Sequence, residues 1–192
     1  MGISLTTAPA VEPVSLADMK LHLRVDGTDD NALITALISV AREYVEIWTG
    51  RACISQTWTQ TFDGFPDGAG NIELKRPPLL SVTSVVYADV DDADQTWSTG
   101  SYTVHTDTLP GHIELDYGES YPSTRDKEAS VTVIFVAGYG AAATALPTPI
   151  IQAVKLIVGD LYEHREARTE ARIEDNLTVQ RLLWAYRVAE AV

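Results

Sequence analysis

The chain has 192 residues, 45% of them hydrophobic, with one cysteine and a formal net charge of −13. That apolar share suffices for a buried core and excludes wholesale disorder. No run approaches the ~18 apolar residues of a membrane span, and one cysteine excludes an internal disulfide or a cysteine-rich zinc site. The acidity is uneven. Residues 52–140 hold 4 Lys/Arg against 13 Asp/Glu, whereas residues 1–51 hold 4 against 7 and residues 141–192 hold 6 against 7. Such a surface repels nucleic acid, because gripping a duplex relies on Lys/Arg displacing counterions.

Residues 1–14 read as an extended arm, with Pro9 and Pro13 blocking regular structure. The opening MGISLTTAPAVEP has no basic residue and no long apolar stretch, so it does not read as a secretory signal. Ser15 is placed to cap a short helix with Asp18 three residues on. Leu16, Met19, Leu23 and Leu21 supply its apolar side, and Gly27 is expected to end it. A second helix is expected from Asp29-Asp30, whose carboxylates suit its positive end. Leu33, Ile34, Leu37, Ile38, Ala41, Tyr44, Val45 and Trp48 recur at helical spacing, with Thr35, Ser39, Arg42, Glu43 and Glu46 assigned to the opposite, polar face. Gly50 then stops the helix. Residues 15–51 are thus one half of a helical core.

Residues 52–140 read as a β-rich subdomain. From Ile54 to Phe62, Thr57, Thr59 and Thr61 alternate with Trp58 and Phe62. Further short strands are expected at 72–74, 80–87, 102–105, 113–117 and 131–137, separated by Gly/Pro/Asp turns. The last, VTVIFVA, is apolar on both faces and reads as a central strand. Residues 141–170 return to helix: Thr148 and Pro149 open it, and Ile150 to Tyr162 are apolar almost all round. Residues 171–192 read as a tail with a last short helix, Val179, Leu182, Leu183 and Tyr186 forming its stripe. The fold class expected is α+β: a helical bundle from the two ends with an inserted small antiparallel sheet, sandwich- or barrel-like.

Few motifs carry chemistry. Asp89 to Asp94 lacks the glycine and distal glutamate of a calcium loop and reads as an acidic hairpin tip. No pair of His22, His105, His112 and His164 has zinc-helix spacing. His105 and His112 could meet across the turn at Pro110-Gly111, near Asp107 and Glu114, but read as packed or solvated imidazoles. Cys53 follows a helix end rather than opening one, where its thiol would be activated. Nucleophile elbows and phosphate loops are missing, so no catalytic, cofactor or metal residue is assigned. Continued as helix, Glu163, Glu166, Glu170 and Glu174 would lie opposite Arg165, Arg168 and Arg172. Glu166, Arg168, Glu170 and Arg172 are therefore candidates for a head-to-tail contact between copies, against the alternative of a solvated, frayed tail. Arg181, Leu182, Trp184, Tyr186 and Arg187 are candidates for a partner anchor, since Trp, Tyr and Arg dominate binding hot spots.

The stretches SLADMKLHLRVDGTDDNALI and AREYVEIWTGRA resemble the phage gp6-like head–tail connector (adaptor) family. TWSTGSYTV, IELDYGESYP, VTVIFVAGYG and PTPIIQAVKLIVGDLYEHRE are similar to its longer branch, found in tailed phages, prophages and gene transfer agents. The likeness covers most of residues 14–166. It implies a non-enzymatic subunit, without cofactors, made in the bacterial cytoplasm and placed in the neck of a virion or virus-like particle. It further implies a ring, expected to be a dodecamer, beneath the portal protein, with a stopper or tail protein below. DNA would pass through without specific binding, and no membrane is involved. Another neck component, a stopper or tail terminator, is the alternative, followed by an uncharacterised soluble enzyme.

Overall fold

The computed structural model describes residues 2–164 and 177–188. The fold is mixed α+β, and the chain divides into two compact units. Met1–Ala10 with Ser55–Tyr139 forms a β unit; Val11–Ile54 with Gly140–Val192 forms a helical unit.

In the helical unit, α1 (Leu16–Leu23) is capped by Ser15, whose Oγ accepts from the Asp18 N–H at 3.1 Å and donates to the Asp18 carboxylate at 2.7 Å. Gly27 does not end it; Arg24 does, in the left-handed region at φ 59°. Leu21 does not join the core: it is 80% exposed, and Met19 is the buried residue of this short helix.

Helix α2 (Asn31–Thr49) ends at Gly50, whose φ of 72° suits a residue without a Cβ. Its buried face carries Ile34, Ile38, Ala41, Arg42, Val45, Glu46 and Thr49. Helix α3 (Thr148–Glu163) buries Ile150, Ala153, Val154, Ile157 and Val158, and packs on α2. The Tyr162 hydroxyl donates to Asp30 at 2.5 Å, tying the end of α3 to the start of α2. Helix α4 (Leu177–Leu183) follows and packs on α3.

The β unit holds two antiparallel sheets, and both are open. One has the order β1-β2-β8-β4-β5, from strands Gly2–Thr7, Gln56–Phe62, Val131–Ala137, Leu79–Ala88 and Asp94–Thr96. The other has the order β3-β7-β6, from Ile72–Glu73, His112–Leu115 and Tyr102–His105. No barrel closes among the described strands. Strand β8 is central, as its apolar run implies, between β2 and β4. Gln60, fully buried, accepts from the Lys75 N–H and donates to the Glu73 carbonyl, linking β2 to the β3 segment.

Two strands were not read from the sequence. Gly2–Thr7, expected within an extended arm, is an edge strand paired with β2, because the blocking prolines lie beyond it at positions 9 and 13. Asp94–Thr96 is short, polar and exposed, and pairs only with β4. Among the described residues, no helix is long and apolar enough to cross a membrane.

Candidate functional site

The helical unit contains an ion-pair cluster around a buried arginine that the hydrophobic pattern hid. The Arg42 side chain is only 6% exposed and fans out to three carboxylates: Glu12 at 2.9 Å, Glu46 at 2.9 Å and Glu43 at 3.3 Å. Ser39 Oγ donates to the second oxygen of Glu12 at 2.8 Å, and the Cys53 N–H donates to Glu46 at 2.8 Å. Arg42 and Glu46, assigned above to the polar face, are therefore inside. A buried charge is tolerated only when paired and hydrogen-bonded, and here each has partners. The cluster clamps Glu12 and Cys53, close to the two points where the chain enters and leaves this part of the unit. Burial, reinforced by the charge of Glu46, pushes the Cys53 thiol far above its ordinary value, so it stays protonated.

With those charges turned inward, α2 carries a second apolar arc facing solvent. Ile47 is 73% exposed and Val40 52%, while Leu33, Leu37 and Tyr44 beside them are half-buried. At 100° per residue these side chains fall on one side of the helix. The sequence reading missed Val40 and Ile47; the signal was there, since α2 is apolar over more of its circumference than one core face needs.

The C-terminal candidates divide. Val179 and Leu183 are buried, so α4 docks within its own unit. A 3-10 turn (Trp184–Tyr186) follows, and the chain then crosses the end of α2. Arg51 Nε donates to the Tyr186 carbonyl at 2.5 Å, the Val188 N–H donates to the Thr49 carbonyl at 2.8 Å, and the Arg187 guanidinium lies 5.6 Å from the Trp48 ring centroid. Arg187 thus has an internal partner, and Leu182 and Tyr186 are half-buried. Arg181 and Trp184 face outward, Trp184 with 69% of its surface free. Glu166, Arg168, Glu170 and Arg172 lie outside the described residues.

In the β unit the acidic stretch is a hairpin tip between β4 and β5. Asp89 accepts from the N–H groups of Asp91 and Ala93 and from the Gln95 amide, and Asp92 pairs with Lys127 and Arg125. Hydrogen bonding from Ala93 holds the Asp89 carboxyl below its usual range, and the Lys127 contact does the same for Asp92. The Asp89 carboxylate is thus spent on the loop itself, and that of Asp92 on the neighbouring 125–127 segment.

On the second sheet, His105 and His112 are paired across β6 and β7, their rings stacked at 4.7 Å and 17°. His105 Nε2 lies 2.7 Å from the Glu114 carboxylate. An open cleft in the helical unit is lined by Glu12, Ser15, Asp18 and Ala141–Ala143, among others. Its carboxylates are engaged, Glu12 by Arg42 and Asp18 by Ser15, which is capping and ion pairing rather than poised acid–base chemistry.

Residues 13–95 match the model of a protein family, the phage gp6-like head-tail connector proteins. No curated protein matches the chain. Three solved structures share the fold over essentially the whole length. A chain of the neck of an empty gene transfer agent particle, computed with C6 symmetry, has a TM-score of 0.83 at 21% identity, covering 100% of this chain and 98% of that one. A chain of a native gene transfer agent virion has a TM-score of 0.81 at 23% identity with the same coverage. A chain of the neck of a native particle, computed with C12 symmetry, has a TM-score of 0.81 at 22% identity, again covering 100% and 98%. The family resemblance stated from the sequence is therefore found by the family model over residues 13–95, and the fold extends across the chain.

Proposed function

We propose that this protein is a structural head–tail connector subunit of a phage or phage-like particle. The observation that carries the reading is the fold match over the full chain to neck proteins, joined to the connector-family match over residues 13–95. Helices α2 and α3 are its framework, as a bundle that repeats around a ring. The neighbouring copy of the chain covers the outward arc of α2 in a head-to-tail contact, because an apolar strip on so acidic a protein is better covered by apolar surface than by a charged partner. Trp184 and Arg181 are the outward anchors for the portal protein above. The acidic β unit serves as surface that DNA passes without sticking, and a stopper or tail protein follows below. The role is one of assembly and not catalysis.

Light scattering after size exclusion tests it, on the chain alone and then with the portal protein of the same gene cluster. A large co-eluting complex that is lost with Trp184→Ala supports the reading. A stable monomer in both runs overturns it.

A further inference from the structure

Three groups of metal-ligating type come together on the β6–β7 hairpin, and neither the neck role nor the fold match uses them. His105 and His112 are direct cross-strand partners, and Glu114 sits two residues along β7 from His112, hence on the same side of the sheet. One ligand atom from each lies within 4.8 Å of the others, and among the described residues no other three His, Cys, Asp or Glu side chains are so placed. The separation of His105 Nε2 from Glu114, 2.7 Å, needs to open only slightly for one ion to take both, given zinc–ligand bonds of about 2.0–2.2 Å.

The hydrogen bonds also prepare a lone pair. Thr108 Oγ1 has one proton, which it donates to the Pro110 carbonyl at 3.0 Å. Its 3.1 Å contact with His112 Nδ1 must then run from the imidazole N–H to the hydroxyl. In the neutral ring that tautomer puts the lone pair on Nε2, and a partner on the remote nitrogen is the usual support of a metal-binding histidine. The scaffold is stiff where it matters. A Cβ on Gly111 would come within 2.4 Å of Leu79 Cβ, and the Gly111 carbonyl accepts from the Leu74 N–H at 2.9 Å, so the turn between the two histidines is closely packed.

We propose that His105, His112 and Glu114 form a site for one divalent transition-metal ion of the zinc class. Two imidazoles and a carboxylate suit zinc and its borderline neighbours, whereas calcium and magnesium prefer all-oxygen sets. The half-exposed setting leaves a further position for water or for a ligand from another chain. The ion would cross-link β6 to β7 and stiffen the hairpin that carries it.

The test is calorimetric titration of the chelator-treated full chain with zinc chloride, followed by thermal melting. One zinc per chain is expected, with a raised melting temperature. Glu114→Gln, at an exposed position, should weaken binding at least about tenfold. His105→Asn should weaken it further, with an unchanged circular dichroism spectrum showing that the fold persists. A His22→Asn, His164→Asn double variant should bind as the parent does. Absence of binding at millimolar zinc, unchanged affinity in Glu114→Gln and His105→Asn, or loss of binding in the double variant would each overturn the proposal.

Discussion

The two units solve the same problem with opposite materials. The helical unit buries charge and exposes hydrocarbon: Arg42 and Glu46 are inside, while Val40, Ile47, Leu21 and Trp184 are out. The β unit is the more orderly. Strand β8 buries Val131, Val133, Phe135 and Ala137 in strict alternation, and the acidic side chains lie largely at turns and rims. Exposed apolar residues occur there too, but one to a segment: Val90, Leu109 and Tyr117 at turns, and Leu5 and Leu80 on strands. The difference teaches where assembly is to be sought. A continuous apolar arc on a helix can bury area against a partner, whereas isolated residues cannot.

The comparison is broken or sharpened first by core substitutions. Arg42→Ala strands Glu46 and Glu12 and should cost about 3–5 kcal/mol. Phe135→Ala, from a fully buried position, should also cost about 3–5 kcal/mol, by loss of burial and by the cavity left. Urea unfolding gives both totals, and amide exchange shows where each is felt. Arg42→Ala should loosen α2 amides ahead of β8, and Phe135→Ala the reverse. Equal loss of protection in both places would mean that the units share one cooperative transition.

Surface substitutions should give a smaller and separable effect. Ile47→Lys should change the stability of the lone chain by no more than about 0.5 kcal/mol. It should nevertheless reduce ring formation, as read by light scattering beside the parent chain. Normal assembly of the Ile47→Lys chain would remove the outward arc of α2 from the contact.

The smallest effect is electrostatic. The folded carboxyl of Asp89 titrates below its unfolded value, so its contribution is fully present above the ordinary range near about pH 4. It is lost as pH falls through the lowered folded value. Asp89→Asn should therefore narrow the stability gap to the parent only under strongly acid conditions, as followed by acid-unfolding midpoints at several urea concentrations. A gap that stays constant down to pH 2 would show that the hairpin hydrogen bonds act without the charge.

Much of this was legible in the chain because it rests on local chemistry. The Ser15 cap, the Gly50 stop, the period of α2 and the alternation of β2 and β8 follow from neighbours a few residues apart, where sterics and spacing act directly. The acidic tip at Asp89–Asp94 was likewise fixed by residue type and turn geometry. Only the tertiary structure decided which face of α2 is buried. Arg42 and Glu46 looked polar and outward until Glu12, thirty residues upstream of Arg42, and the Cys53 N–H supplied partners that make burial tolerable. It also decided that Leu21 and Ile47 face solvent, and it brought His105, His112 and Glu114 close together. Hydrophobicity is a property of each residue, but satisfaction of a buried charge and convergence of ligands depend on what the rest of the chain brings to them.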